Sequence, residues 1–158
     1  FVNKSRIGVV GMSMGAARAA VTAYPDPDIK VVVMLSGPYN FKLTMAKMTR
    51  YVRFLFWLGG NKFPKEERLL EKYSGYNYFK KEGIILSGGS KPMPNSDRVF
   101  LAADEHDNTV NVANTIQAIE LLGLPPENYR IFTRGDHCFE GNEYFLAVEL
   151  YEFLIHHL

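Results

Sequence analysis

Short runs of β-branched and apolar residues alternate along this chain with stretches that have a helical apolar period. Four such runs are typical of buried strands: Arg6 to Met12, Ile29 to Leu35, Val99 to Ala103 and Tyr129 to Thr133. Helical patterns follow three of them, over Met14 to Tyr24, about 110–122, and Glu143 to His157. Strands that alternate with helices need crossover connections, which are right-handed and produce a parallel sheet. The sequence therefore predicts an α/β fold, a mostly parallel sheet with helices on both faces.

A long segment separates the second strand from the third. It covers residues 38–97, whereas loops between a helix and a strand usually have about two to six residues. Two helical patterns lie inside it, from Leu43 to Leu58 and from Lys65 to Tyr73. We predict one domain over residues 1–158, with residues 38–97 inserted in it as a lid-like or cap-like segment.

Charge and composition exclude several classes of protein. The chain has 18 lysines and arginines and 17 aspartates and glutamates. The net charge of +1 therefore does not indicate the excess of positive charge that is typical of nucleic-acid-binding proteins. The longest apolar runs, such as Val31 to Leu35, are far shorter than the roughly 18 residues of a transmembrane helix. One cysteine, Cys138, and four scattered histidines give neither a disulfide framework nor zinc-ligand spacing. We expect no nucleic-acid partner, no transmembrane segment, no metal and no cofactor.

The junction of the first strand and the first helix carries the pattern GxSxG, which Gly11, Ser13 and Gly15 define. A serine at such a junction turns sharply, and glycine on both sides lets the backbones approach. The helix N-terminus directs free amide groups at the same point, so the Met14 amide would donate to an oxyanion beside Ser13. An ordinary glycine-rich turn, with Ser13 as the helix N-cap, is the alternative.

A serine nucleophile needs a histidine base and a carboxylate that orients it. His137 follows the fourth strand in RGDHCF, and Asp107 follows the third strand in DEHDNTV. Both positions are loops at the carboxyl ends of predicted parallel strands, where ligand-binding and catalytic groups usually lie. The order along the chain is serine, aspartate, histidine.

With these three elements in this order, residues 6–158 resemble the C-terminal half of an α/β-hydrolase. The resemblance implies Ser13 as nucleophile, Asp107 as orienting acid and His137 as general base. The segment from Ala113 to Phe139 is most similar to the dienelactone-hydrolase and prolyl-oligopeptidase branch. Asp104 stands where relatives usually carry glycine, so Asp104 and Glu105 remain rival carboxylates.

The other reactive side chains have ordinary structural explanations that involve no catalytic role. His106 fits a surface residue, and His156 and His157 fit the solvated last turn of a helix. Cys138 is adjacent to His137, but neighbouring residues rarely face each other. A metal site built from Asp104, His106, Asp107 and His137 is the remaining alternative, although the spacing matches no common ligand motif.

The predicted helix from Leu43 to Leu58 combines basic residues with aromatic ones. We predict that Tyr51, Phe54 and Trp57 line the substrate pocket and that the basic face attracts an anionic substrate or a lipid surface. The alternative is an amphipathic helix that packs on the core and leaves its lysines in solvent.

The resemblance implies a serine hydrolase that acts on a small-molecule carboxylic ester, thioester or amide through an acyl-enzyme. An acyltransferase with the same triad and a non-catalytic binding protein of this fold are the alternatives. The family's earlier strands and its second oxyanion donor have no counterpart in residues 1–158. We therefore expect a fragment with the N-terminal half absent, little activity alone, and self-association through an exposed sheet edge. The sequence does not indicate a compartment.

Overall fold

The computed structural model of the protein describes residue 3 and residues 5–47, 58, 74–79 and 96–158. The strands and α-helices are β1 (Gly8–Met12), α1 (Met14–Thr22), β2 (Val31–Leu35), α2 (Phe41–Lys47), β3 (Val99–Asp104), α3 (Ala113–Leu122), β4 (Tyr129–Phe132) and α4 (Glu143–His157). Residues 75–79 are also helical, and Pro126–Asn128 form one 3₁₀ turn before β4.

The four strands form one sheet in the order β1-β2-β3-β4, and all three pairings are parallel. Strand order in space therefore equals strand order in the sequence. Val10 lies beside Val33, and Leu35 lies beside Ala102. Because every strand runs in the same direction, all four carboxyl ends meet at one edge of the sheet. The predicted parallel α/β sheet is confirmed.

Helices cover both faces of the sheet, and each face has its own apolar core. Residues Val32 and Met34 of β2 point to the face where α1 and α3 pack, with Ala20 and Leu122 among the buried residues. Residues on the other side of β2, such as Val33, point to the face that α4 covers. β2 and β3 are buried along their whole length, which explains their continuous runs of apolar residues.

Helix α4 has the predicted bounds, Glu143–His157, whereas the end of α1 and the start of α3 depart from the predictions by two or three residues. α1 ends at Thr22, although the apolar pattern continues to Tyr24. α3 starts at Ala113 rather than about residue 110, because Asn111 Oδ1 already accepts the Ala113 amide at 3.0 Å in a local turn. Among the described residues, no helix is both long and apolar enough to cross a bilayer.

The described ends of the 38–97 insertion are attached to the core. Asn114 Oδ1 accepts the Asn40 amide at 2.9 Å, and the amide of Tyr76 donates to Tyr39 O at 3.0 Å. The Phe79 ring packs edge-on against Tyr24 and Tyr39. Most of the helix predicted from Leu43 to Leu58, and all of the one from Lys65 to Tyr73, lie outside the described residues. The proposal of a lid therefore stays a prediction.

Part of the α4 face is uncovered at β1. Val10 and Met12, on the same side of the sheet as Val33 and Leu35, are 55% and 38% exposed. Helix α4 has a stripe of exposed apolar residues, Tyr144, Val148, Tyr151 and Ile155. On the side of β1 away from β2, no strand pairs with it within the described residues.

Candidate active site

The chain segments that leave β1, β2 and β3 all emerge at the carboxyl edge of the sheet. Backbone hydrogen bonds continue the parallel ladder by one residue beyond each strand: Ser13 N donates to Leu35 O, Ser36 N to Ala102 O, and Glu105 N to Phe132 O, at 2.8 to 2.9 Å. Ser13 and the loops that hold Asp107 and His137 therefore lie along one edge. This common edge is where open parallel sheets bind ligands.

Ser13 occupies the sharp turn between β1 and α1. Its backbone has φ 55° and ψ −121°, a conformation that non-glycine residues rarely adopt. The side chain makes no capping hydrogen bond to α1, which removes the support for the N-cap alternative. The Met14 amide belongs to the first residue of α1, so it has no acceptor within the helix.

The two glycines of the GxSxG pattern play different roles. A Cβ atom added to Gly11 would lie 2.5 Å from Gly15 O and 2.8 Å from Ala16 N, so the helix can start this close to β1 only because residue 11 has no side chain. A Cβ atom added to Gly15 would meet no atom of the described residues within 4 Å. The expectation that both flanking glycines are needed for close approach is therefore wrong for Gly15.

Asp107 and His137 form a hydrogen-bonded pair. His137 Nδ1 lies 2.7 Å from Asp107 Oδ2, and the aspartate side chain is fully buried while the imidazole is 19% exposed. An ionised carboxylate only accepts hydrogen bonds, so the proton between them lies on Nδ1 and leaves Nε2 as the acceptor nitrogen of a neutral ring. A ring in this tautomer can accept a proton from a neighbouring hydroxyl.

The second oxygen of Asp107 fixes the loop that carries it. Oδ1 accepts the amides of Thr109 at 2.7 Å and Val110 at 2.8 Å. The carboxylate is therefore held by three hydrogen bonds, two from the backbone and one from the imidazole. Residues 107–110 thus form a turn that closes on the Asp107 side chain before α3 begins.

The rival carboxylates are used differently. Asp104 is fully buried, and its Oδ1 accepts the His106 amide at 2.7 Å, while Oδ2 makes no hydrogen bond to any residue that the structure describes. A Cβ atom on Gly135, whose φ is 148°, would lie 2.7 Å from that Oδ2. Asp104 therefore lies next to Gly135, which belongs to the segment that leads to His137. Glu105 is exposed.

Backbone strain is concentrated at this edge. Among the described residues, the non-glycine residues with positive φ are Ser13, Ser36 and Phe139, which follow β1, β2 and β4. Ser36 is buried, and its Oγ has no hydrogen-bond partner. Such strain often accompanies functional sites. Nothing in the sequence singled out Ser36 except its place at the end of a strand.

Ser13 is not hydrogen-bonded to the Asp107–His137 pair. Within the described part of the chain, neither Ser13 Oγ nor His137 Nε2 makes a hydrogen bond. β1 and β3 have β2 between them, which separates their backbones by about 10 Å at the usual strand spacing. The structure thus brings Asp107 and His137 together and places Ser13 on the same edge. Tyr51, Phe54 and Trp57 lie outside the described residues.

The remaining reactive side chains stay apart from this pair. The His106 side chain is 65% exposed, and its Nδ1 lies 3.7 Å from Asp104 Oδ1. Cys138 is exposed and unpaired. No group of three or more His, Cys, Asp or Glu side chains in the described ranges is arranged to hold a metal ion.

Comparison with known proteins finds similarity in structure only. No protein-family model and no curated protein matches the sequence. A dipeptidyl peptidase 4 from Porphyromonas gingivalis matches with a TM-score of 0.68 and 16% identity, over 100% of this chain and 20% of that one. A 2,6-dihydroxy-pseudo-oxynicotine hydrolase matches with a TM-score of 0.65 and 18% identity, over 96% and 40% of the two chains.

This chain has the α/β-hydrolase fold. The esterase domain of a Rhodothermus marinus protein also matches, with a TM-score of 0.54 and 18% identity over 89% of this chain and 54% of that one. The chain spans between 20% and 54% of the length of these three structures.

Proposed function

We propose that this protein is a serine hydrolase that cleaves a carboxylic ester, thioester or amide through an acyl-enzyme. One observation carries the proposal: the 2.7 Å contact between His137 Nδ1 and the buried Asp107 Oδ2, on the sheet edge that also holds Ser13. A histidine that acts as a general base requires a carboxylate at Nδ1, because the carboxylate orients the ring and stabilises the imidazolium. A histidine without such a role requires no buried carboxylate beside it.

Each residue has one role in the proposed reaction. Ser13 Oγ attacks the carbonyl carbon while His137 Nε2 takes the hydroxyl proton, and the Met14 N–H donates to the oxyanion. His137 then returns the proton to the leaving group, and the acyl group stays on Ser13. Water deprotonated by His137 releases the acid and restores Ser13.

The names of structurally similar proteins agree with this class of reaction. They include an acylaminoacyl peptidase from Pyrococcus horikoshii, a puromycin-hydrolysing peptidase from Mycobacterium tuberculosis and the esterase domain from Rhodothermus marinus. These proteins differ in substrate, so the likeness supports acyl transfer to water in general and no particular substrate.

A fluorophosphonate probe tests the proposal, because it reacts covalently with an activated serine hydroxyl. Labelling is measured on the full-length gene product, because residues 1–158 alone are expected to have little activity. We expect labelling of the wild type at Ser13, none in Ser13→Ala, and a rate at least about a hundredfold lower in His137→Ala, which removes the base. Ser5→Ala, at an exposed serine before β1, is the matched control and should label as the wild type does. Absence of labelling in the wild type would instead support a non-catalytic binding protein.

The proposal extends to the aromatic residues of the insertion. Alanine at Tyr51, Phe54 and Trp57 should change the preference among ester substrates of different acyl length more than it changes the rate of fluorophosphonate labelling. Equal losses in both measurements would argue against a substrate-lining role for the insertion.

A further inference from the structure

A groove lies along the outer face of α1, and Met14, the residue that follows Ser13, is among the residues that line it. Its volume is about 500 Å³, within the usual range of small-molecule sites. Met14, Arg18 and Val21 form its floor, because residues four and seven positions apart share one face of a helix. Phe41 and Tyr78, from the two described parts of the insertion, form its walls.

The groove is mostly apolar but contains one charged group. Arg18 is exposed and makes no ion pair within the described residues. The Thr22 hydroxyl, also in the groove, is already used, because it donates to Arg18 O at 2.9 Å. Among the described residues that line the groove, the side-chain polar groups left for a ligand are therefore the Arg18 guanidinium and the Tyr78 hydroxyl, and both can donate to an anion.

The geometry relates Arg18 to the proposed reaction centre. Met14 contributes to both places, since its amide belongs to the helix start beside Ser13 and its side chain lines the groove. Arg18 follows Met14 by one helical turn, about 6 Å along the helix axis. A substrate with its carbonyl carbon at Ser13 can thus lay an apolar chain along the groove and reach Arg18 with its far end.

We propose that the groove binds the acyl part of an anionic substrate, an ester, thioester or amide whose acyl chain ends in a carboxylate held by Arg18. A carboxylate fits this site better than a phosphate dianion, because one guanidinium balances the single charge of a carboxylate and leaves half the charge of the dianion uncompensated. The inference rests on the proposed function, which supplies the reacting end of the substrate.

The test compares two pairs of nitrophenyl esters of equal acyl length. The monoesters of adipic and suberic acid have a terminal carboxylate, while the hexanoate and octanoate esters do not, and rates without protein are subtracted. In Arg18→Gln we expect the ratio of kcat/KM for adipate over hexanoate to fall about tenfold, the usual effect of one charge-assisted hydrogen bond. Arg6→Gln, which removes the same charge before the amino end of β1, should leave the ratio unchanged.

Binding of the adipate dianion separates this inference from the proposed function. Titration of adipate, followed by the amide resonances of α1 and α2, should give a dissociation constant about tenfold higher in Arg18→Gln than in the wild type or Arg6→Gln. An unchanged ester ratio and unchanged adipate binding would overturn the role of Arg18. Hydrolysis of all four esters at wild-type rates by Ser13→Ala would overturn the proposed function instead. The adipate titration would still show whether Arg18 binds a carboxylate in the groove.

Discussion

Gly11 and Gly15 flank Ser13 symmetrically in the sequence, but the backbone around them is not symmetric. Gly11 has the first turn of α1 directly against it, and Gly15 faces open space. We expect Gly11→Ala to destabilise the fold by about 2 kcal/mol or more, because its Cβ meets backbone atoms that cannot move without shifting α1. Gly15→Ala should be neutral or stabilising by up to about 1 kcal/mol, since alanine is the better helix former. Chemical denaturation of both variants measures the difference, and equal losses would contradict this account of the turn.

The two buried aspartates near His137 can be separated by amide substitution. In Asp107→Asn, the amide oxygen can still accept the Thr109 and Val110 amides, but the NH₂ group faces Nδ1 and forces the ring into the opposite tautomer. We expect kcat/KM for an activated ester to fall about a thousandfold or more. Asp104→Asn keeps the acceptor for the His106 amide and should lower the rate far less. Similar losses in both variants would show that the hydrogen bond to the imidazole is not decisive.

At the residue scale, the sequence predicts those candidate site residues that motifs and chain order define. The glycine-flanked pattern predicts Ser13. The positions of polar residues just after buried strands predict Asp107 and His137. Arg18 and Tyr78 are not predicted, because they line the same groove only when the insertion folds back on α1. No local sequence pattern encodes such a juxtaposition. The same holds for the groove, whose walls and floor come from distant segments.

Helix α4 attaches to the sheet through a few buried side chains. The Phe153 ring is 6% exposed and lies 5.2 Å from the Phe100 ring, which is fully buried. Arg130 and Glu149 join β4 to α4 through two contacts of 2.8 Å, but both side chains are about one-third exposed, so solvent screening reduces the contribution of this ion pair. Apolar packing therefore holds this helix.

Truncating one aromatic ring of α4 tests that account. Phe153→Ala should destabilise the protein by about 3 to 5 kcal/mol, because it removes a buried ring and leaves a cavity. Tyr151→Ala removes a ring of similar size that is 64% exposed, and it should change stability by less than about 0.5 kcal/mol. Thermal and urea unfolding of the two variants provide the measurement. A small loss for Phe153→Ala would mean that other contacts hold α4.

At the element scale, the sequence predicts the type of each strand and helix better than its ends. Strands β2 and β3 are buried on both faces, so their apolar runs are unbroken and easily recognised. The start of α3 depends instead on side chains that bind backbone amides, as Asp107 does for Val110 and Asn111 does for Ala113. These bonds replace the first helical turn, and apolar periodicity carries no information about them.

On the scale of the whole molecule, the described residues leave β1 with an unpaired sheet edge, next to which Val10 is 55% exposed. We expect the protein to self-associate with increasing concentration, because an unpaired strand edge with apolar side chains favours pairing with a second copy. Val10→Lys should weaken this association. Ile116→Lys introduces the same charge at an exposed position of α3 and should not. Sedimentation velocity distinguishes these cases, and a wild-type protein that stays monomeric at every concentration would contradict the prediction.

The parallel order of the strands also has a consequence for how the chain folds. β1 and β2 are joined by a short crossover through α1, and β3 and β4 by one through α3, whereas β2 and β3 pair Val32 with Val99 across the whole insertion. Closing a longer loop costs more conformational entropy, so contacts between distant segments form later. We expect the units β1-α1-β2 and β3-α3-β4 to form early. The pairing of β2 with β3 should then limit the refolding rate.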